Sequence, residues 1–405
     1  GPLTGYRVID LTRALAGPFC TALLGDLGAD IVKIEGLPDG DATRFWPPHD
    51  DGQSLYFMST NRNKRSMALD LRSPEAKIIL RELVAGADVL VENFRPGILT
   101  KLGLDPDVLR TEHPRLVVAS ITGFGDRGPL RDTAGLDQVA QGMSGLMSVT
   151  GIEGATPMRF GVPVTDMTAG MYAAFGIASA LAGRESSGRG AHVSTSLLEG
   201  AISLLSFQAQ RYLSSGEVPV PHGNEHPVIA PYGLFNAADG DINVAVGTEA
   251  QWVKLCDVLG DPDLVNDPRF HTAISRTENR SVLNQCLNVL FGAEAIEYWL
   301  ERLRDAGVPC GPVYAVDQVF KDRQVEALDM VVEVPRSEAR SVDRMLRGPL
   351  SIDGLPTPVR YPAPALGEQT VELLVELGYT VSDIESLHGR RVIAGSSGSV
   401  GGTER

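Results

Sequence analysis

Residues 8–35 read VIDLTRALAGPFCTALLGDLGADIVKIE. A β-branched run at 6–11 gives way to 18–27, which carries Phe19, Leu23, Leu24 and Leu27 on one side, and then to the apolar run 30–35. The switch in apolar period predicts strand, helix, strand, with Pro18 in the first turn of the helix. The alternation continues with strands at 66–71, 88–92 and 116–121. A helix capped by Ser73 runs from Pro74 to residue 85. A helix at 167–182 follows, built on Ala169, Gly170, Ala173, Ala174, Gly176, Ala178 and Ala180, then a strand at 191–196 and a helix at 197–213. Repeated strand–helix alternation builds a parallel sheet covered on both faces, so the fold class is α/β with a Rossmann-like large domain.

The pattern breaks at 215–230 into a Pro-, Gly- and His-rich connection. Beyond it, 234–238 and 242–246 read as a hairpin about Asp239-Gly240-Asp241, followed by helices near 249–259, 277–291 and 293–306. The expected organisation is a large domain over 1–214, a smaller α+β domain over 225–325, a return to the large domain over 326–392, and a flexible tail over 393–405.

The 405 residues are 43% hydrophobic and 21% charged, with a formal net charge of −15. That composition excludes a disordered chain, and no apolar stretch approaches the length of a membrane span. The acidic balance argues against a nucleic-acid partner, which needs a positive face. Cys20, Cys256, Cys286 and Cys310 are scattered, and the histidines show no ligand spacing, so neither a disulfide framework nor a metal site is expected. The N-terminal residues lead straight into a strand without signal-peptide order, and a cytoplasmic location is expected.

Glu35, closing the second strand, stands where a dinucleotide-binding unit holds a ribose. The first turn, however, reads Asp10-Leu11-Thr12-Arg13-Ala14-Leu15-Ala16-Gly17, with no GxGxxG. A phosphate-cradling GxxxxGK[ST] and a GxSxG elbow are also missing. The fold is dinucleotide-like while the usual ligand apparatus is not there.

In Gly161-Val162-Pro163-Val164-Thr165-Asp166-Met167-Thr168-Ala169-Gly170, Asp166 stands where an extended approach meets the small-residue helix. Two readings are open. Asp166 caps the helix, or the helix N-terminus keeps its carboxylate ionised for use as a nucleophile.

The chain resembles the family III CoA-transferases, the group that includes formyl-CoA and carnitine CoA-transferases. The likeness runs from about residue 3 to 390. Its landmarks are the stretch quoted above, GDATR at 40–44, NRNKRSMALDL at 61–71, VENFRPG at 91–97, SITGFGDRGP at 120–129, GLDQVAQGMSGLMSVTG at 135–151 and GVPVTDMTAGMYA at 161–173. Within the group the chain is most similar to the succinate–hydroxymethylglutarate (glutarate) enzymes. The resemblance implies that Asp166 is a nucleophile forming aspartyl anhydride and aspartyl-CoA intermediates, with coenzyme A or an acyl-CoA as substrate and no permanently bound cofactor. It also implies that Leu15 and Ala16 lie along CoA, that Leu69, Asp70, Leu71 and Arg72 flank its adenine end, that Asn93 and Phe94 contact it, and that Lys101 meets its phosphates. Arg95 joins this set by its place beside Asn93 and Phe94. The family's interlocked homodimer is the expected assembly. Arg62, Lys64 and Arg65 form the densest basic cluster and complete the expected phosphate site.

Three positions depart from formyl-CoA transferase: Leu15 replaces Gln, Gly36 replaces Arg and Ala134 replaces Lys. The first argues against formyl or oxalyl groups. The related α-methylacyl-CoA racemases need a second base, a His in a GHD motif, but here the motif reads Gly135-Leu136-Asp137, and leucine cannot accept a proton. A non-catalytic acyl-CoA-binding protein is the other alternative. The loop that is glycine-rich in the family reads Gly223-Asn224-Glu225-His226. A substrate with a second carboxylate would need a cation, and Arg13, Arg44 and Arg159 are candidates by nearness in sequence.

Overall fold

In the computed structural model, which describes residues 1–336 and 342–395, the opening stretch folds as β1 (Arg7–Asp10), α1 (Ala16–Asp26) and β2 (Asp30–Gly36). β1 pairs parallel to β2, with Val8 opposite Ile31 and Ile9 opposite Val32. The alternation continues through β3 (Lys64–Leu69), α2 (Pro74–Ala85), β4 (Val89–Glu92) and β5 (Val117–Thr122). It then runs through α3 (Asp137–Met143), α4 (Val164–Ser187), β6 (His192–Ser196) and α5 (Leu197–Ser203).

The sheet order is β3-β2-β1-β4-β5-β6, with the short strand Ile393–Ala394 added antiparallel outside β3. This is the doubly wound order, in which the direction of winding reverses between β1 and β4. Ligands of such sheets bind outside the carboxyl ends of the strands at that reversal. The period of two divides each strand between two cores. Ile9, Val32, Ile34 and Met67 pack with Ile79 and Leu83 of α2 and with Leu373 and Leu387. Val8, Ile31, Val89 and Val91 pack with Cys20 and Leu24 of α1 and with Ala169, Ala173 and Ile177 of α4.

The small residues of α4 let it approach closely. A Cβ on Gly170 would lie 2.6 Å from the carbonyl oxygen of Ala16, and one on Gly176 would lie 2.6 Å from Val193. α4 begins three residues earlier than its apolar pattern suggested, which moves Asp166 inside the first turn.

The described chain divides into two units. One comprises Gly1–Leu146, Arg159–Leu213 and the described part of Asp329–Arg405; the other comprises Met147–Met158 and Ser214–Leu328. The sequence pattern places Met147–Met158 in the large domain, whereas they group with the smaller unit. The smaller unit is α+β, with an antiparallel sheet of β7 (Tyr232–Ala237), β8 (Gly240–Ala245) and β9 (Cys310–Pro312). Helices Glu249–Val258, Arg280–Phe291 and Ile296–Ala306 bury Trp252, Phe291 and Trp299. The hairpin pairs Ala237 with Gly240, so the turn is Ala238-Asp239, one residue earlier than expected.

Two further expectations are corrected. The helix at 197–213 is interrupted after Ser203, where the Ser203 hydroxyl donates back to the Gly200 carbonyl, and resumes at Ser206–Ser215, with Ser206 left-handed at φ 47°. The tail expected from 393 starts later, because Ile393 and Ala394 pair with Leu69 and Ala68. Residues 396–405 of that tail lie outside the described residues. Among the described residues no helix is long and apolar enough to cross a membrane.

Candidate active site

The reversal point of the sheet is built by the loop after β1, and no glycine motif holds it. Side chains do so instead. Thr12 donates through its N–H to Asp10 Oδ1 at 2.8 Å, and its carbonyl accepts from Lys33 Nζ at 2.9 Å. The main chain of Arg13 is held by Asn93, at the end of β4. The Ala14 N–H donates to Asp41 Oδ1 at 3.3 Å, and Lys33 Nζ reaches Asp41 Oδ2 at 3.1 Å. Ala14 itself is left-handed at φ 64°, an uncommon conformation for a residue with a Cβ and one that concentrates at functional sites. Gly17 lets α1 close on this loop, since a Cβ there would lie 2.3 Å from Thr12 Cβ.

Asp166 enters the same space from α4. The helix N-cap is Pro163, which offers no side-chain bond, and Asp166 is the third helical residue, so it is not the cap. Capping comes from Asp137 of α3. Its Oδ1 accepts the Thr165 N–H at 3.0 Å and the Thr165 hydroxyl at 2.9 Å, while Oδ2 accepts the Gln141 amide at 2.8 Å. Among the described residues nothing donates a hydrogen bond to the Asp166 carboxylate. Burial first, and the Asp137 charge second, push Asp166 up to about 7. Burial and the like charge of Asp137 thus oppose the helix N-terminus, whose dipole favours the ionised form.

These elements enclose a cavity of about 520 Å³. One bank comes from the loops after β1 and β4: Ala14, Leu15, Ala16, Asn93, Phe94, Arg95 and Pro96. The other comes from the end of β5, the segment before α3 and the approach to α4, including Gly123, Arg131, Gly135, Leu136, Asp137 and Arg159. Asp166 lies in the same lining. Gly123 and Gly135 meet face to face across the second bank. A Cβ on Gly123 would lie 2.5 Å from Gly135 Cα, and one on Gly135 would lie 2.3 Å from Gly123 Cα.

Of the residues singled out in the sequence, Asp166, Leu15, Ala16, Asn93, Phe94 and Arg95 thus share one cavity. Leu69, Asp70, Leu71, Arg72 and Lys101 do not line it. Leu69 ends β3, Arg72 pairs with Asp70 at 2.7 Å with its side chain 82% exposed, and Lys101 closes the short helix Ile98–Lys101. The basic cluster is engaged elsewhere. Arg62 binds Asp26 at 3.0 Å, Lys64 binds Asp10 at 3.0 Å within the core, and Arg65 binds Asp30 and Glu376. These three cations balance interior or neighbouring carboxylates. Arg44 is likewise held by Glu35 and by the Pro364 carbonyl.

Several lining residues were not singled out in the sequence as site residues, among them Ala14, Trp46, Tyr56 and Arg131. The left-handed Ala14 carries no sequence signal, because alanine rarely adopts that conformation. Trp46 and Tyr56 form an edge-to-face pair, ring centroids 5.5 Å apart, that no local periodicity announces.

The sequence matches the model of CoA-transferase family III over residues 3–370. It is 40% identical over 389 residues to a succinate–glutarate CoA-transferase of Agrobacterium fabrum, covering 93% of this chain and 96% of that one. It is 38% identical over 379 residues to an acetyl-CoA:oxalate CoA-transferase of Acetobacter aceti, covering 93% and 96%. A crystal structure of a CAIB/BAIF family protein from Brucella suis superposes with a TM-score of 0.82 at 38% identity, over 93% of this chain and 99% of that one.

Proposed function

The chain belongs to CoA-transferase family III, and from that premise we propose that it moves CoA from succinyl-CoA to glutarate, with Asp166 as the covalent carrier. The observation that carries this reading is an uncommitted carboxylate, free of hydrogen bonds among the described residues, in a cavity at the reversal point of a doubly wound sheet. A carboxylate suits the task because its acyl adducts remain reactive enough to pass on a thioester; a serine ester would be a thermodynamic sink.

The Asp166 carboxylate attacks the thioester carbonyl of the donor. The C–S bond breaks, CoA leaves as thiolate, and a mixed anhydride forms. The thiolate then attacks the aspartyl carbonyl, the anhydride C–O bond breaks, and succinate departs from an aspartyl-CoA thioester. A glutarate carboxylate attacks that thioester and expels the thiolate again. The thiolate finally attacks the glutaryl carbonyl, which releases glutaryl-CoA and restores Asp166.

In this reading Leu15, Ala16, Asn93, Phe94 and Arg95 carry the CoA chain, with Leu69, Asp70, Leu71 and Arg72 toward the adenine end and Lys101 toward the phosphates. Leu15 in the cavity wall weighs against oxalate as acceptor, and Leu136 denies a racemase its second base. The proposal includes a cytoplasmic, interlocked homodimer. α4 exposes Met171, Tyr172 and Phe175, the last 72% exposed, a surface that a second copy would cover. Incubation with labelled succinyl-CoA and hydroxylamine should give an Asp166 hydroxamate and, with glutarate present, glutaryl-CoA. Loss of the hydroxamate under turnover conditions would rule out the covalent route. Asp166→Ala should lower exchange on the order of 10³-fold or more while CoA still binds. On dilution no folded monomer should appear before global unfolding.

A further inference from the structure

Resting on the CoA-transfer reading above, we propose that Arg159 is the subsite for the free carboxylate of a dicarboxylic acyl group, serving the donor and then the acceptor. The cavity already faces two acidic groups, Asp137 and Asp166. A third, brought in at the far end of a succinyl or glutaryl chain, needs a cation in the same low-dielectric space.

Three arginines line the cavity: Arg95, Arg131 and Arg159. Arg95 sits on the bank assigned to CoA, between Phe94 and Pro96. Arg131 pairs with the adjacent Asp132 at 3.2 Å on an exposed loop, both side chains more than half in solvent. Arg159 stands on the approach to α4, seven residues before the nucleophile. Its Nε donates to the Phe160 carbonyl at 3.2 Å, which anchors the guanidinium, and Nη2 reaches Asp137 Oδ2 at only 3.5 Å. Asp137 does not depend on that contact, since it already accepts two bonds from Thr165 and one from Gln141. The guanidinium is therefore held in place, half-exposed, and weakly engaged. An incoming carboxylate can take its fork in two parallel bonds, the geometry arginine favours. The other sequence candidates are otherwise occupied, Arg44 by Glu35 and Arg13 over the Phe94 ring at 5.4 Å.

Exchange through one aspartyl carrier places the donor acyl and the acceptor acyl in the same position in turn. A single cation thus reads the free carboxylate of both, and its loss must weaken both half-reactions alike while sparing substrates that lack that carboxylate.

The test compares the wild type with Arg159→Gln and Arg159→Lys, using succinyl-CoA with glutarate and butyryl-CoA with butyrate, and hydroxylamine trapping for each donor. In Arg159→Gln, KM for succinyl-CoA and for glutarate should both rise on the order of 10–100-fold. Trapping with butyryl-CoA should stay within about threefold of wild type, and Arg159→Lys should recover part of the loss. An equal loss with both donors, or a selective loss in Arg131→Gln in place of Arg159→Gln, overturns the assignment. A wild type that traps butyryl-CoA but never turns over dicarboxylates overturns the substrate reading itself, and the assignment with it.

Discussion

The side chain of Asn93 grips the main chain of Arg13 in both directions, its Oδ1 accepting the Arg13 N–H at 2.9 Å and its Nδ2 donating to the Arg13 carbonyl at 2.8 Å. Since Asn93 follows β4 and Arg13 follows β1, this contact ties together the two loops at the reversal point of the sheet. Asn93→Ala should weaken CoA binding by about 1–3 kcal/mol, the worth of two such bonds. Titration calorimetry checks it. Unchanged affinity would mean that the loop holds its shape without Asn93.

As the proposed carrier, Asp166 must be ionised to attack, and its carboxyl is pushed up to about 7 by burial and by Asp137. For the free enzyme, kcat/KM for the donor should therefore climb as pH rises through about 7 and level off above it. Asp137→Asn removes the like charge while retaining an acceptor for Thr165, so the midpoint should move to lower pH. A wild-type midpoint in the ordinary carboxylate range would refute this account.

The same shift has a consequence for stability with a fixed sign. A carboxyl whose folded pKa lies above its unfolded one favours the fold while protonated, and that advantage is lost as pH rises through the folded value, here about 7. Asp166→Asn should accordingly raise Tm at pH 8, by roughly 2–4 °C, and change it far less at pH 4. Thermal melts at the two pH values decide the matter, and a larger gain at the acid end would contradict it.

Two glycines of α4 offer a paired test of packing. Gly170→Ala sets a methyl against the Ala16 carbonyl, at 2.6 Å, where backbone must yield; a loss of about 1–3 kcal/mol is expected, with reduced exchange. Gly183 has nothing within 4 Å of its would-be Cβ, and Gly183→Ala should stabilise by about 0.4–1 kcal/mol. Denaturant melts of the two variants should move in opposite directions.

The doubly wound sheet was legible because alternating period, Ser73 and the small residues of α4 all point one way. The engagement of the basic cluster was not. Arg62, Lys64 and Arg65 look like a surface patch, and only the register of β3 against β2, together with the packing of α1, reveals Asp26, Asp10 and Asp30 as their partners. Asp166 stands out by its motif, while the burial and the approach of Asp137 from another helix that raise its pKa are tertiary facts. Asn93 lines the cavity as its motif suggests, but the engagement of its amide by the Arg13 backbone is visible only in the fold.

The two banks of the cavity descend from separate stretches of chain. One stretch, around 12–17 and 93–96, is clamped by buried side chains; the other, around 131–137 and 159–163, is tied to α4 chiefly through Asp137. On the proposed reading, changes in the second stretch would retune which acid is accepted while the handle common to every substrate stays gripped. Such a division leaves acceptor choice open to drift without dismantling the carrier.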